Sequence, residues 1–235
     1  MNNVTPPASP APPAPAPPSL PTTTGERWYI RRIFCVGRNY ADHAREMGHD
    51  PDAEPPFYFT KPADAVVQSG ATIPYPPQTT DLHHEAELVV AIGTGGHDIA
   101  ASAALSHVWG YATGNDLTRR DLQAAAKAAR RPWDMAKGFD NSAVVGLIQP
   151  GPIHPDLIDD ARITCTVDGH ITQFARLSDM IWPVPAIIAH LSRLVTLQPG
   201  DLIFTGTPAG VGPLARGQTC TVTIDSLPPA TVTLT

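Results

Sequence analysis

Glu85 and Glu87, two apart, stand at the head of an apolar run that continues from Leu88 to Ile92. The run is partly β-branched and reads as a strand, and a strand turns alternate side chains the same way. Both carboxylates then share a face, where they repel each other and lose hydration, and a hard cation between them relieves both costs. The alternative is a strand that begins at Leu88, with both glutamates in a solvated loop. Asp116 follows Gly114-Asn115 at the end of a strand-like stretch from Val108 to Ala112. It serves either as a turn or cap residue or as a third oxygen ligand. Three carboxylates with no cysteine among them form an all-oxygen set, which suits Mg²⁺, Mn²⁺ or Ca²⁺ rather than zinc.

A second group of residues carries acid–base potential. His43 and Glu46 are three apart in a helical stretch. A carboxylate beside an imidazole raises its basicity and fixes its tautomer, which suits activation of a water; an exposed His–Glu pair is the plainer alternative. Arg120 and Gln123, also three apart, share a helix face, while Lys127, Arg130 and Arg131 read as a solvated basic face. Lys137 follows that helix in an apolar setting, either exposed or placed to stabilise developing negative charge. The chain contains no GxxxxGK[ST] phosphate loop and no G-x-S-x-G elbow, and Gly93-Thr-Gly-Gly-His97 lacks the spacing of a dinucleotide loop.

The elements that must position these groups follow from pattern. Ile33–Val36 is a short buried strand, and Tyr40 to Met47 is a helix closed by Gly48. Phe57–Thr60 and Ala65–Val67 are extended. A helix from Thr118 to Arg131 opens on a capping box of Thr118 and Asp121 and is stopped by Pro132. A hairpin turns at Asp168-Gly169, and Pro185 to Leu194 is an apolar helix. Pro199-Gly200-Asp201 turns into a strand from Leu202 to Thr205, and a strand from Thr219 to Ile224 closes the domain. Many short strands with few helices predict an α+β or mainly β architecture rather than a doubly wound sheet. Residues 1–24, dominated by Pro, Ala, Ser and Thr, are predicted to form an extended, mobile tail ahead of a single domain over 25–235.

Bulk properties narrow the partners. The 235 residues are 42% hydrophobic, enough for one sizeable core, and carry a formal charge of -6 with a pI near 5.8. That charge argues against a nucleic-acid or anionic-membrane surface. Cys35, Cys165 and Cys220 lack CxxC spacing, so neither a disulfide framework nor a zinc knuckle is expected, and a reducing cytosol is the simplest setting. No apolar run reaches the roughly 18–20 residues that a membrane span needs, and the first residues lack the features of a secretory signal.

Six segments then line up in order: Gly37-Arg-Asn-Tyr-Ala-Asp-His43-Ala-Arg-Glu46, Phe59-Thr-Lys-Pro62, His83-His-Glu85-Ala-Glu87-Leu88, Asp116-Leu-Thr-Arg-Arg-Asp-Leu-Gln123, Pro132-Trp-Asp-Met-Ala-Lys137 and Thr205-Gly-Thr-Pro-Ala-Gly-Val-Gly212. Together they resemble the fumarylacetoacetate hydrolase family, and within it the acylpyruvase and fumarylpyruvate hydrolase branch. The resemblance implies an α+β fold built as a mixed β-sheet roll, a homodimer, and one Mg²⁺ or Mn²⁺ held by Glu85, Glu87 and Asp116. It implies that His43 and Glu46 activate water from a lid helix and that Lys137 faces the reacting carbonyl. Arg120, Gln123 and Thr207 match substrate-contacting positions. Gly138 departs from the serine or alanine that relatives often carry after the lysine. The implied reaction is cleavage of a small 2,4-dioxo acid, such as fumarylpyruvate to fumarate and pyruvate in aromatic catabolism. The second carboxylate of that substrate calls for a cation near the pocket, and Arg38 or Arg120 is expected to supply it. Oxaloacetate decarboxylation or hydroxymuconate-type isomerisation on the same fold is the alternative. A non-catalytic cation-binding domain is another, and the His43–Glu46 pair with Lys137 speaks against it.

Overall fold

The computed structural model describes residues 13–46, 48, 55–151 and 160–235. Along the chain come β1 (Ser19–Pro21), β2 (Arg27–Tyr29), β3 (Arg32–Gly37), helix α1 (Ala41–Glu46), β4 (Phe57–Lys61), β5 (Val66–Gln68), β6 (Ala71–Ile73), β7 (Leu82–His84), β8 (Ala86–Ile92) and β9 (Val108–Asp116). After these follow β10 (Thr118–Arg119), α2 (Arg120–Ala128), α3 (Asp134–Lys137), β11 (Ala143–Val145), β12 (Gln149–Pro150), β13 (Arg162–Val167) and β14 (His170–Arg176). The last elements are α4 (Val184–Leu194), β15 (Asp201–Phe204), β16 (Gly212–Leu214), β17 (Thr219–Ile224) and β18 (Ala230–Leu234).

The largest sheet runs β4-β3-β15-β8-β9-β11-β5, with β12 paired to β9. A five-stranded sheet, β14-β13-β17-β18-β6, packs against it, and β10-β7-β16 forms a smaller third sheet. The pairings β3–β15, β5–β11 and β6–β18 are parallel and the other strand pairings of these sheets are antiparallel. The sheet architecture is therefore mixed and curled, as the α+β roll predicts.

The central strands are buried on both faces, which explains their unbroken apolar runs. On β8, Leu88, Val90 and Ile92 enter one hydrophobic cluster between the two large sheets, whereas Val89 and Ala91 enter a second cluster on the opposite face. β3 divides in the same way, with Phe34 and Val36 on one side and Ile33 and Cys35 on the other. Glu87 has the parity of Val89 and Ala91, so the strand aims it at the second face.

Three expectations need correction. The tail does not extend to residue 24: β1 pairs antiparallel with β2, and Leu20 is buried in the second cluster. Prolines flank it, yet the Pro18 carbonyl still accepts a hydrogen bond from Ile30 N–H at 2.9 Å, the arrangement proline permits at a sheet edge. Residues 1–12 of the expected tail, and Met47 at the end of the first helix, lie outside the described residues. The second helix starts at Arg120 rather than Thr118 and has no side-chain cap, because Thr118 belongs to β10 and pairs with His83. Finally, β18 follows the strand that was expected to close the domain and pairs with both β17 and β6.

Candidate active site

The carboxylates meet because the sheet register brings them together. Asp116 ends β9, and its N–H donates to the Glu85 carbonyl at 2.9 Å, so the two residues face each other across the β8–β9 pair. Glu87 lies opposite Gly114. A Cβ at Gly114 would stand 2.5 Å from the Val89 side chain and 2.9 Å from Phe204, so only glycine allows this close packing beneath the site. All three acids are buried, and each offers an oxygen within 4.8 Å of the others. The solvated-loop alternative does not hold.

Two buried lysines and an arginine surround the triad. Lys137, from α3, places Nζ 2.8 Å from Glu85 Oε2 and 2.7 Å from Asp116 Oδ2. Lys61, at the end of β4, lies 2.7 Å from Asp116 Oδ1, and its ammonium also donates to the carbonyls of Leu117 and Lys137. Arg120 NH2 reaches Glu85 Oε1 at 2.5 Å while its NH1 donates to Gln123 Oε1 at 2.7 Å. Glu87 forms no ion pair among the described residues; Gly206 N–H donates to its Oε2 at 2.7 Å.

This unequal pairing splits the electrostatics. Burial alone would raise the Glu85 pKa, but Lys137 and Arg120 overcome it and hold the carboxyl well below the usual carboxylate range. Burial, and after it the negative charges of Asp116 and Glu85, push Glu87 far up. Burial opposes the charge on Lys137 as well, yet Asp116 and Glu85 raise its pKa, so it remains an ammonium. A carboxyl crowded by two others and lacking a cation of its own is what a divalent ion would relieve. The donor set, oxygen only and clustered on one face, fits such an ion.

His43 sits on α1, above the triad's cleft. Its Nδ1 lies 3.2 Å from Glu46 Oε2, and the ring is buried whereas Glu46 is partly exposed. Burial lowers the imidazole pKa against the opposing pull of Glu85 and Glu46, which leaves a neutral ring at neutral pH. Glu46 in turn accepts the N–H of Gly210 at 3.3 Å, tying α1 to the 205–212 loop. Gly37 opens the turn into α1; a Cβ there would stand 2.0 Å from the Phe57 ring. Arg38 follows in the left-handed region at φ 56°, a strained conformation of the kind that collects at functional sites.

The cleft, open to solvent on one side, spans about 380 Å³. Of the residues singled out in the sequence, Arg38, His43, Glu85, Glu87, Arg120, Gln123, Lys137 and Thr207 all line it, with Asp116 fully buried and Glu46 reaching it through His43. The structure also adds residues. Lys127 lines the cleft and is no part of a solvated face, unlike the exposed Arg130 and Arg131. Its signal was the spacing from Arg120 and Gln123, seven and four residues away on one helix face. Lys61 shares the β4 parity of Phe57 and Phe59, which could have marked it. Gln173, buried on β14, donates to Thr207 Oγ1 and the Pro208 carbonyl at 2.8 Å each and accepts from Ala86 N–H at 3.0 Å, and no local pattern marks it. It joins the Thr207 loop to the strand of the carboxylates.

Fold and cleft together define a class: a curled mixed sheet carrying a buried carboxylate triad that suits a divalent cation, with an imidazole base at its rim. The chain belongs to the fumarylacetoacetate hydrolase family, whose model, fumarylacetoacetate (FAA) hydrolase C-terminal, matches residues 32–235. It is 44% identical over 168 residues to fumarylpyruvate hydrolase of a Ralstonia species, covering 72% of this chain and 86% of that protein. It is also 42% identical over 189 residues to the mitochondrial oxaloacetate decarboxylase of Dictyostelium discoideum, covering 80% of this chain and 86% of the relative. Among solved structures, that of fumarylpyruvate hydrolase from Pseudomonas aeruginosa in complex with Mn²⁺ and pyruvate has a TM-score of 0.89 at 48% identity, covering 94% of this chain and 97% of that one. Among the described residues no helix is long and apolar enough to cross a membrane.

Proposed function

We propose that this enzyme is a divalent-metal-dependent hydrolase of 2,4-dioxo acids, cleaving fumarylpyruvate to fumarate and pyruvate. The His43–Glu46 pair at the cleft, 3.2 Å apart with the imidazole buried, carries the reading, because hydrolysis needs a base for water and decarboxylation does not. Glu85, Glu87 and Asp116 hold the cation, Mg²⁺ or Mn²⁺. When bound, it supplies Lewis-acid charge that orients the 2-oxo acid end and stabilises an enolate.

The protein's own residues do the rest. Neutral His43, oriented by Glu46, takes a proton from water as the water oxygen bonds to the C4 carbonyl carbon. Negative charge gathering on the C4 oxygen is met by the ammonium of Lys137, which burial beside two carboxylates keeps protonated. The C3–C4 bond then breaks, its electron pair remaining on C3 as the enolate of pyruvate. His43 returns its proton to C3, and fumarate and pyruvate leave. Arg120, Gln123 and Thr207 position the substrate. The homodimer implied by resemblance belongs to the same reading, supported by exposed Ile171 and Phe174 on the edge strand β14; light scattering tests it.

The similarity to an oxaloacetate decarboxylase favours a second reading in which the same cleft releases pyruvate from oxaloacetate. One assay separates the two: pyruvate release, coupled to lactate dehydrogenase, from fumarylpyruvate, acetylpyruvate and oxaloacetate with Mn²⁺ or Mg²⁺. Turnover of fumarylpyruvate is expected. Pyruvate from oxaloacetate, with none from either 2,4-dioxo acid, replaces the hydrolase with a decarboxylase.

A further inference from the structure

Helix α2 presents three polar groups to the cleft, Arg120, Gln123 and Lys127. The first two are engaged, with Arg120 bound to Glu85 and to Gln123. Lys127 forms no hydrogen bond or ion pair among the described residues. Its ammonium stands 5.0 Å over the ring of Trp133, half-buried in the cleft wall. Burial, then the nearby charges of Arg120 and Arg38, press its pKa down to about 8. An ammonium held beside two guanidinium groups without an acid of its own is costly in the free protein. A purely solubilising lysine would sit outward, as the exposed Arg130 and Arg131 do past the end of α2.

The charge of the centre points the same way. With a divalent cation bound, Glu85, Glu87 and Asp116 supply three negative charges, and Lys61, Lys137 and Arg120, paired with Glu85 and Asp116, supply three positive ones. Lys127 and any divalent cation are then in excess. A substrate carrying one carboxylate offsets only part of that excess, and one carrying two offsets more. Seven residues along α2 place the Lys127 backbone about 10 Å from that of Arg120, whose guanidinium is bound to Glu85 of the triad.

We propose that Lys127 recognises the far carboxylate of a dianionic substrate, so that this cleft selects 2-oxo dicarboxylates over 2-oxo acids with an uncharged tail. The assignment deepens the functional reading above and rests on it for the orientation of the substrate, with the 2-oxo acid end at the triad. It also replaces Arg38 and Arg120 as the sequence-based choice for the far carboxylate.

The test compares kcat/KM for fumarylpyruvate and acetylpyruvate in the wild type, Lys127→Met and Lys127→Arg, all Mn²⁺-loaded. The Met variant should lower the ratio of the two values roughly 10–100-fold, the worth of a hydrogen bond to a charged group, and the Arg variant should restore most of it. An unchanged ratio overturns the proposal. Calorimetry separates this outcome from failure of the hydrolase reading. With Mn²⁺ present, the unreactive dianion 2-oxoglutarate should bind Lys127→Met at least tenfold more weakly than the wild type, with a far smaller change for the monoanion 2-oxobutyrate. Equal weakening of both, or of neither, overturns the assignment whether or not the enzyme cleaves a 2,4-dioxo acid.

Discussion

Glu85 and Glu87 stand side by side, yet substitution should part them. Glu85 is held by Lys137 and Arg120, so Glu85→Gln leaves two cations underpaired in a buried site and should cost about 3 kcal/mol or more. Among the described residues Glu87 has only the Gly206 N–H, which an amide oxygen also accepts, and its neighbours are acids. Glu87→Gln should therefore melt, free of metal, at or above the wild-type temperature while losing its calorimetric heat with Mn²⁺. A metal-free Glu87→Gln protein that melts well below the wild type would show that Glu87 is held by something other than a cation. For the base, His43→Ala should lower kcat about 10²–10⁴-fold with Mn²⁺ binding intact. Adding Glu46→Ala should cost little more, since the two act as a unit. The direction of the His43 shift also fixes a pH profile. Protonation removes the base, and burial places that protonation below the ordinary value of 6.5. Hence kcat/KM should fall on the acid side with a midpoint under 6.5; a midpoint above 6.5 would mean the free ring is charged at neutrality.

At the scale of elements, the strap β1 matters more than its composition suggests. Leu20 is 1% exposed and packs with Ile33, Cys35 and Phe204, and Trp28 of β2 stacks on Trp109 at 4.3 Å. Leu20→Ala should cost about 2–5 kcal/mol, the usual range for a buried leucine. Removing residues 1–24 should lower the melting temperature at least as far as Leu20→Ala does; an unchanged melting curve would show that the strap is dispensable. Composition could not reveal this, because proline and alanine give no periodic signal and the partner strand donates the hydrogen bonds. The onset of α2 was misread for a related reason. The Thr118 hydroxyl bonds Glu85 Oε1 and the Asp116 carbonyl, and Asp121 accepts from Thr79 and Thr80, so distant partners take the groups that would have capped the helix. Strand and helix periods set Glu85 with Glu87 and His43 with Glu46 on shared faces, whereas Asp116, open to a turn or cap reading by itself, joined the set through the ordered resemblance. Lys127 was not legible, since the expected helix ran on to Arg131 and made one basic run of Lys127, on α2, and Arg130 and Arg131, which lie past its end at Ala128.

For the whole molecule, sheet order carries a consequence in time. β15 lies between β3 and β8 in the large sheet, although about 170 residues of chain separate it from β3. Until residues 201–204 have been synthesised, β8 can pair with β9 alone. Its other edge stays open, with apolar side chains on both faces and the buried acids at its head. Such late, long-range pairing makes folding slow, in milliseconds to seconds rather than microseconds, and leaves an edge that invites association between chains. Stopped-flow refolding from urea should show this slow phase, and a chain ending before Asp201 should aggregate instead of forming a partial enzyme. Productive folding is then tied to completion of the polypeptide, and chaperone demand should peak while β8 waits for its second neighbour.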